Sequence, residues 1–397
     1  MSRYLIILSI AFFFAQQGEV KVNLSSANEV NRYQEDDSTR SVSLSFVGDL
    51  MCHSVQYNYA RVNKDSFDFS PSYRYIKQYL SQSDVTIGNL ETVTAGKKAG
   101  YSGYPFFNSP DEYISALKDA GFDYLVTANN HSLDKGEAGI LKTIENINRN
   151  GLDYNGTFIS EQDRDSSRII SRNGINLGYL SYTYGTNGVK IPKGKKYLIN
   201  LIDTILIKED IEKLKSENVD AVIVHFHFGE EYKREPNKFQ KDIVAKTIEY
   251  GADFIIGGHP HVLQPVDFVK SNSSGIDTVF VAYSLGNFIS NQRWRYSDAG
   301  AILNLELSKN ENGNIRIEKI NYLPTWVFKG NTGSKNEYII LPSESYNDTS
   351  LTFLKNSDRK LMEEAFFDSQ EILTKYSHID LKHINSKTNL MGKNNGY

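Results

Sequence analysis

The chain has 397 residues, of which 40% are hydrophobic and 12% aromatic, as in an ordinary folded globular protein. Its formal net charge is −4, so the overall composition provides no electrostatic attraction for nucleic acid or an acidic membrane, and no nucleic-acid partner is expected. The single cysteine excludes an internal disulfide bond and a metal site built from cysteines. This length allows one to three domains at about 150 residues per domain.

The N-terminus has the pattern of an export signal. Arg3 precedes a continuous apolar run from Tyr4 to Ala15, which is short for a membrane span but fits the hydrophobic region of a secretory signal. Residues 1–15 are therefore predicted to be a signal peptide or a short membrane anchor, with a buried first helix as the alternative. Residues 16–41 are polar and are predicted to form a linker. We expect an exported protein that is periplasmic, extracellular or membrane-anchored facing outside.

From residue 42 onward, short apolar runs alternate with helical patterns. Strands separated by helices of about 10–15 residues indicate an α/β fold with a largely buried sheet. The predicted strands are Val42–Val47, Asp84–Leu90, Phe122–Ala128, Ile175–Tyr184, Val219–Phe228, Asp253–Gly257, Thr278–Ser284, Ala301–Leu307 and Ile315–Tyr322. The predicted helices are Asp111–Ala120, Glu137–Asn150, Glu209–Glu217, Asn237–Tyr250 and Asp358–Lys375. The composition of Asn310–Asn314 is typical of a hairpin turn.

Polar side chains follow three of the first predicted strands. Asp49 ends the first apolar run and Glu91 the second, while Asn129, Asn130 and His131 come after the third. Open α/β sheets bind ligands at the carboxyl ends of their strands, which makes these residues candidates for a site. Turn and capping roles are the alternative for the aspartate and the asparagines, but capping does not explain the histidine.

Two later segments contribute histidines. His225 and His227 point to the same face of a strand, and His227 is nearer its carboxyl end, so His227 is the predicted ligand and His225 a core or supporting residue. His259 and His261 flank Pro260 after two glycines, which allows the two imidazoles to face different metal ions. This histidine loop is the most specific motif of the chain.

The predicted ligands are oxygen and imidazole groups without a thiolate, which suits manganese, iron or zinc. A pair of such ions can bind a phosphoryl group and generate hydroxide near neutral pH. That chemistry needs a carboxylate that bridges the two ions, for which Glu91 is the candidate, and an imidazole near the leaving oxygen, for which His131 is the candidate.

This succession of motifs resembles the CapA family of capsule or poly-γ-glutamate synthesis proteins, within the calcineurin-like metallophosphoesterase superfamily. The resemblance covers roughly residues 42–305 and implies a four-layer α/β/β/α sandwich. Residues 306–342 are expected to be a strand extension of the same domain, and 343–397 a C-terminal helical and polar region. The motifs are Gly48–Met51, Asn89–Glu91, Leu117–Asp123, Ala128–Gly136, Tyr182–Gly188, His227–Tyr232, His259–Gln264 and Tyr283–Phe288.

The resemblance also implies a ligand set for two divalent ions. One ion would take Asp49, Glu91 and His261; the other would take Glu91, Asn130, His227 and His259; and His131 would be the catalytic imidazole. The wider superfamily has Asp-x-His in its first motif, whereas Met51 stands at the position of that histidine here. The first ion therefore lacks one ligand, and His53 would need a bulge to replace it.

The chain also offers candidate substrate contacts. Asn129 and Glu231 lie within the site motifs, and Arg293 and Arg295 flank Trp294 after the Ser-Leu-Gly-Asn-Phe segment. The arginines could face a polyanion, and solvated loop charge is the alternative.

The leading functional hypothesis is an exported metal-dependent hydrolase that acts on an anionic capsule polymer or a phosphoester during assembly, attachment or export. A membrane synthase complex is a candidate partner. A non-catalytic accessory that binds polymer or synthase on the same fold is the second hypothesis, and a general secreted phosphatase or nucleotidase is the third. Met51 favours the accessory, whereas the complete histidine loop favours catalysis.

Overall fold

The computed structural model describes residues 40–271, 276 and 278–376, together with the backbone of 382–383. The export signal predicted for residues 1–15 lies outside the described residues. Among the helices described, none combines the length and apolar character that a bilayer crossing requires. The α-helices are α1 (Ser54–Ala60), α2 (Lys77–Leu80), α3 (Glu112–Ala120), α4 (Gly136–Arg149), α5 (Glu161–Asp165), α6 (Thr204–Ser216), α7 (Lys238–Tyr250) and α8 (Asn356–Thr374). Short 3₁₀ helices cover Ser70–Tyr73, Lys97–Ala99, Lys196–Leu198 and Ser343–Asn347.

The strands alternate with these helices along most of the chain. They are β1 (Arg40–Leu50), β2 (Val85–Leu90), β3 (Tyr124–Val126), β4 (Asp153–Asn155), β5 (Ile169–Arg172), β6 (Ile175–Thr183), β7 (Ala221–His227), β8 (Phe254–Gly258), β9 (Val266–Lys270), β10 (Thr278–Ala282), β11 (Asn287–Ile289), β12 (Ala299–Lys309), β13 (Ile315–Asn331), β14 (Asn336–Pro342) and β15 (Lys382–His383).

The first sheet has the strand order β14-β13-β12-β1-β2-β3-β4, with β11 beside β1 and β15 beside β13. Strands β1 to β4 are parallel, whereas β12, β13 and β14 are added in antiparallel pairs. In the register of β1, Phe46 lies opposite Ile87 on one side and Leu303 on the other. Every residue of β2 is buried, as expected of a strand that is covered on both faces.

The second sheet has the order β5-β6-β7-β8-β10-β9. Its four central strands are parallel, and the edge strands β5 and β9 are antiparallel to their neighbours. His225 on β7 lies opposite Ser181 and Ile256, and all residues of β7 are buried.

The two sheets face each other across a shared apolar core. Phe46, Ile87 and Tyr124 of the first sheet belong to the same buried cluster as Ile223 and Phe254 of the second. Helices α3 and α4 pack on the outer face of the first sheet, and α6 and α7 pack on the outer face of the second. The order helix, sheet, sheet, helix confirms the predicted four-layer α/β/β/α sandwich.

Some element boundaries differ from those predicted. Helix α6 begins at Thr204 instead of Glu209, because the Asp203 carboxylate accepts hydrogen bonds from the backbone N–H groups of Ile205 and Leu206 and so caps an earlier turn. Strand β1 begins at Arg40 instead of Val42, so its first two residues belong to the end of the predicted linker 16–41. These two residues pair with β12.

The strands after β12 extend the first sheet within the range 306–342 for which a strand extension was expected, although their individual bounds differ. Strand β13 continues past the predicted end at Tyr322 to Asn331, and the unpredicted β14 pairs with its second half. The Asn310–Asn314 segment forms the turn between β12 and β13, as predicted: Asn310 and Asn314 are joined by a backbone hydrogen bond of 3.1 Å. Helix α8 packs on this extension through Met362.

Candidate metal centre

The carboxyl ends of β1, β2, β7 and β8 bring the predicted ligands to one edge of the sandwich. Asp49 lies where the pairing register between β1 and β2 shifts after Val47. Gly48 lets the β1 backbone pass close to the Gly286 backbone, because a Cβ atom at position 48 would lie 1.9 Å from the Gly286 carbonyl oxygen. The two sheets meet at this edge through the Asn89 side chain, whose amide nitrogen donates to Asp49 Oδ1 at 2.8 Å and lies 3.1 Å from His227 Nδ1.

Asp49, Glu91 and His261 form the first group of candidate ligands, and all three are buried. His261 Nδ1 lies 3.1 Å from Asp49 Oδ2, and His261 Nε2 lies 3.8 Å from Glu91 Oε1. Burial alone would lower the pKa of His261, but the Glu91 and Asp49 carboxylates raise it to about 9. Burial would raise the pKa of Asp49, but its hydrogen bond to His261 and the nearby histidine charges lower it well below the usual value.

Glu91, Asn130, His227 and His259 form the second group. His227 Nε2 lies 2.8 Å from Asn130 Oδ1 and 3.5 Å from Glu91 Oε1, and its ring centroid lies 4.8 Å from that of His259. Burial lowers the pKa of His227 to about 3, so the ring is neutral at physiological pH. A neutral imidazole is the form that ligates metal ions.

Glu91 belongs to both groups and has no hydrogen-bond partner. Both carboxylate oxygens are buried and unpaired, and the residue is 0% exposed. Burial, followed by repulsion from Asp49, raises the pKa of Glu91 to about 8. An unpaired buried carboxylate is costly unless a cation compensates it. The oxygens without hydrogen bonds and the surrounding imidazoles therefore fit metal binding, and Glu91 belongs to both candidate groups.

His225 and His131 lie outside both groups. His225 is buried in the sheet, with Nδ1 3.4 Å from the Tyr179 hydroxyl, which agrees with its predicted place in the core. His131 Nδ1 instead lies 2.7 Å from Asp134 Oδ2, which also accepts a hydrogen bond from the Phe107 backbone N–H at 2.6 Å. A carboxylate at Nδ1 orients the ring and leaves Nε2 as the nitrogen available for proton transfer.

In the structure, Asn129 and the two arginines contact other protein groups. The Asn129 side chain donates to Asn89 Oδ1 at 3.2 Å and to the Leu90 carbonyl at 2.8 Å, so it supports the β2 end. Arg295 makes a two-pronged ion pair with Asp368 at 2.9 Å. The Arg293 guanidinium lies over the Trp326 ring at 5.1 Å.

Glu231 has a different position. It is exposed, and its carboxylate lies close to the ring nitrogens of His259 and His261. Tyr184 also covers this region, with its ring centroid 4.5 Å from that of His259.

Met51, by contrast, is buried and its sulfur lies 3.4 Å from Ser290 Oγ. His53 lies outside the metal groups and interacts with Gln56 at the start of α1.

Several supporting residues were not predicted as part of the site. Asn89 joins the two sheets, Asp134 orients His131, and Asn287 Oδ1 lies 3.1 Å from His261 Nδ1. Asn187 accepts a hydrogen bond from the Asn130 amide nitrogen at 3.2 Å, which orients the Asn130 oxygen towards His227. The signal was present, since all four lie inside motifs that carried the family resemblance. The partners of Asn89, Asn187 and Asn287 are distant in sequence, whereas Asp134 lies only three residues from His131 and could have been found from that spacing.

Comparison with solved structures finds similar chains at low sequence identity. The NAD nucleotidase NadN of Haemophilus influenzae matches with a TM-score of 0.45 and 13% identity, covering 89% of this chain and 66% of that one. The calcineurin-like phosphoesterase YfkN from Bacillus subtilis matches with a TM-score of 0.41 and 17% identity, covering 83% and 99%. The chain thus spans just under two thirds of the nucleotidase.

Sequence comparison identifies the family. The protein named "Capsule biosynthesis protein CapA" of Bacillus anthracis is 30% identical over 292 residues, which cover 70% of this chain and 67% of that protein. The "PGA biosynthesis protein CapA" of Bacillus subtilis (strain 168) is 28% identical over 319 residues, covering 79% and 77%. A family model described as bacterial capsule synthesis protein PGA_cap matches residues 43–292. With most of the sandwich and the whole ligand cluster inside that match, the chain belongs to the PGA_cap family of bacterial capsule synthesis proteins.

Proposed function

We propose that this chain is an exported, metal-dependent hydrolase of capsule synthesis that acts on an anionic polymer such as poly-γ-glutamate, or on a phosphoester, during assembly, attachment or export. A membrane synthase complex is the proposed partner. The observation that carries the metal-dependent activity is Glu91, whose two buried oxygens have no hydrogen-bond partner although three imidazoles and Asp49 surround them. Family membership supports the role in capsule synthesis.

The first and second groups would hold two divalent ions, manganese, iron or zinc, with Glu91 in common. When bound, such a pair supplies an activated water and stabilises charge on the attacking and leaving oxygens. Asn89 and Asn187 keep the ligands in place by holding Asp49 and Asn130.

His131 is the proposed general acid. Asp134 accepts the hydrogen bond of Nδ1–H, so Nε2 is the atom that would carry the proton to the leaving oxygen. The edge-on contact with Phe107, at 4.6 Å between ring centroids, and the burial of the ring restrict its orientation. A fixed, hydrogen-bonded imidazole beside the ligands and outside both groups fits proton transfer better than metal binding.

A non-catalytic accessory remains the second candidate, because the first group offers only three protein ligands and the Met51 sulfur contacts Ser290 instead of the group. Such a protein would bind polymer or synthase through the same surface and would not need His131 for chemistry.

One experiment combines metal content with complementation. Purified wild type should contain two equivalents of divalent metal by elemental analysis, and His131→Ala should contain the same amount. In a strain that lacks the protein, His131→Ala should fail to restore the capsule, because loss of a general acid typically costs about 10²–10⁴-fold in rate. Full capsule production by His131→Ala would refute catalysis and favour the accessory, and a wild type without metal would refute the metal centre itself.

A further inference from the structure

We propose that the exposed carboxylate of Glu231 is a further metal ligand, which faces the ion of the first group from the solvent side. This inference rests on the proposed function, since it requires an ion in that group. The first group supplies three protein side chains, whereas the second supplies four. An additional carboxylate would give both ions the same number of protein ligands.

The geometry of the ligand atoms supports this assignment. One carboxylate oxygen of Glu231 and one ring nitrogen each of His259 and His261 all lie within 4.8 Å of one another, a spacing that a single ion can bridge. His261 belongs to the first group and His259 to the second, so Glu231 lies beside both, and it is the smaller number of side chains in the first group that assigns Glu231 to that ion. Glu231 is exposed while both histidines are buried, which places its carboxylate over the open side of the cluster.

The loop that carries Glu231 is tied to the histidine loop. The Tyr232 backbone N–H donates to the Pro260 carbonyl at 2.7 Å, and the Gln264 side chain donates to the Lys233 carbonyl at 2.8 Å. Gly229 has a φ of +111°, a left-handed conformation that favours glycine and turns the chain back over the site. The position of Glu231 is thus set by the same segment that presents His259 and His261.

Neighbouring acidic residues have other partners. Glu230 accepts a hydrogen bond from the Asn237 side chain at 3.3 Å and lies in none of the metal groups, and Glu235 is paired with Lys375 and Tyr376. Glu231 accepts a hydrogen bond from the adjacent Tyr232 side chain and faces the histidines. Together with Asp49 and Glu91 it would give the first ion three carboxylates, an oxygen-rich set that suits Mn²⁺.

The test measures Mn²⁺ binding by the full chain after removal of metal with a chelator. Wild type, Glu231→Gln and Glu230→Gln are titrated with Mn²⁺, and bound ions are counted by equilibrium dialysis and electron paramagnetic resonance. Glu230→Gln is the matched control because it removes the adjacent exposed carboxylate. Both side chains are at the surface, so circular dichroism should show the same fold for all three proteins.

Wild type and Glu230→Gln should bind two ions with the same affinities. In Glu231→Gln one ion should bind as in wild type and the other about tenfold or more weakly, the lower end of what loss of a supporting metal contact costs. Unchanged binding of both ions by Glu231→Gln would overturn the assignment and leave the paired centre intact. A wild type that binds no Mn²⁺ would overturn the proposed centre and this assignment together. If wild type binds a single ion, the paired centre is refuted, and Glu231 is a ligand only if Glu231→Gln binds that ion more weakly.

Discussion

The metal-free protein should lose stability as the pH rises from 6.5 to 8, and Glu91 should be the main cause. In the absence of metal, burial and the neighbouring Asp49 raise the pKa of Glu91 from 4.5 to about 8. Between these values the folded state holds a proton that the unfolded state has released. Stability therefore falls with rising pH throughout this interval, and most of the fall is complete once pH 8 is passed.

The magnitude follows from one proton over the measured interval. One pKa unit corresponds to about 1.36 kcal/mol, and Glu91 has released half of its proton by pH 8, so it contributes a loss of about 1.6 kcal/mol in the free energy of unfolding. His261, whose folded-state pKa is raised to about 9, contributes in the same direction above pH 6.5. The lowered pKa values of four histidines oppose this fall by about 0.4 kcal/mol each, because the unfolded state releases the rest of its histidine protons just above pH 6.5. These histidines are His53, His225, His227 and His259.

The assay is urea unfolding of chelator-treated protein at pH 6.5 and pH 8. Wild type and the surface control Glu230→Gln should both lose about 2 kcal/mol, whereas Glu91→Gln should lose much less, because an amide neither titrates nor raises the pKa of His261. The comparison uses the difference between two pH values, so any constant cost of the buried amide cancels. Equal stability of metal-free wild type at both pH values, or the full loss in Glu91→Gln, would refute the reasoning.

Two further predictions concern the histidine loop and a buried ion pair. His259→Ala should keep its far-ultraviolet circular dichroism but lose bound metal, while His225→Asn, which alters a buried histidine outside both groups, should retain it; equal metal content in the two variants would contradict the ligand assignment. Asp210→Asn should reduce the free energy of unfolding by about 3 kcal/mol, because it leaves the largely buried Arg164 guanidinium without its carboxylate, which also accepts from the Tyr182 hydroxyl at 2.5 Å. A loss below about 1 kcal/mol in urea unfolding would show that solvent already compensates this charge.

Much of the fold could be predicted from local patterns of apolar residues in the sequence. The central strands β1, β2, β7 and β8 are continuous apolar runs because both of their faces are covered, and the helices between them are long enough to show their period. The edge strands β5 and β9 were not predicted, because each has few buried residues. Only Ile170 is buried in β5, and only Val266 is fully buried in β9. Their pairing depends on a neighbouring strand more than on their own side chains.

The chemical types of the candidate ligands could also be predicted from the sequence. Asp49 and His227 lie at the ends of strands, Glu91 and the histidine loop come directly after strands, and the carboxyl ends of parallel strands share one edge of a sheet. This rule depends on chain direction alone, so it places side chains near an edge without coordinates.

Only the tertiary structure decided which of these groups meet and what else contacts them. Asp49 and His261 are 212 positions apart in the chain, and the register of β1 together with the packing of two separate sheets brings their side chains to 3.1 Å. The same packing leaves both Glu91 oxygens without a hydrogen-bond partner and pairs Arg295 with Asp368. A residue's type limits what it can bind, but its actual partner depends on distance, burial and competing groups, and these are set by the folded chain as a whole.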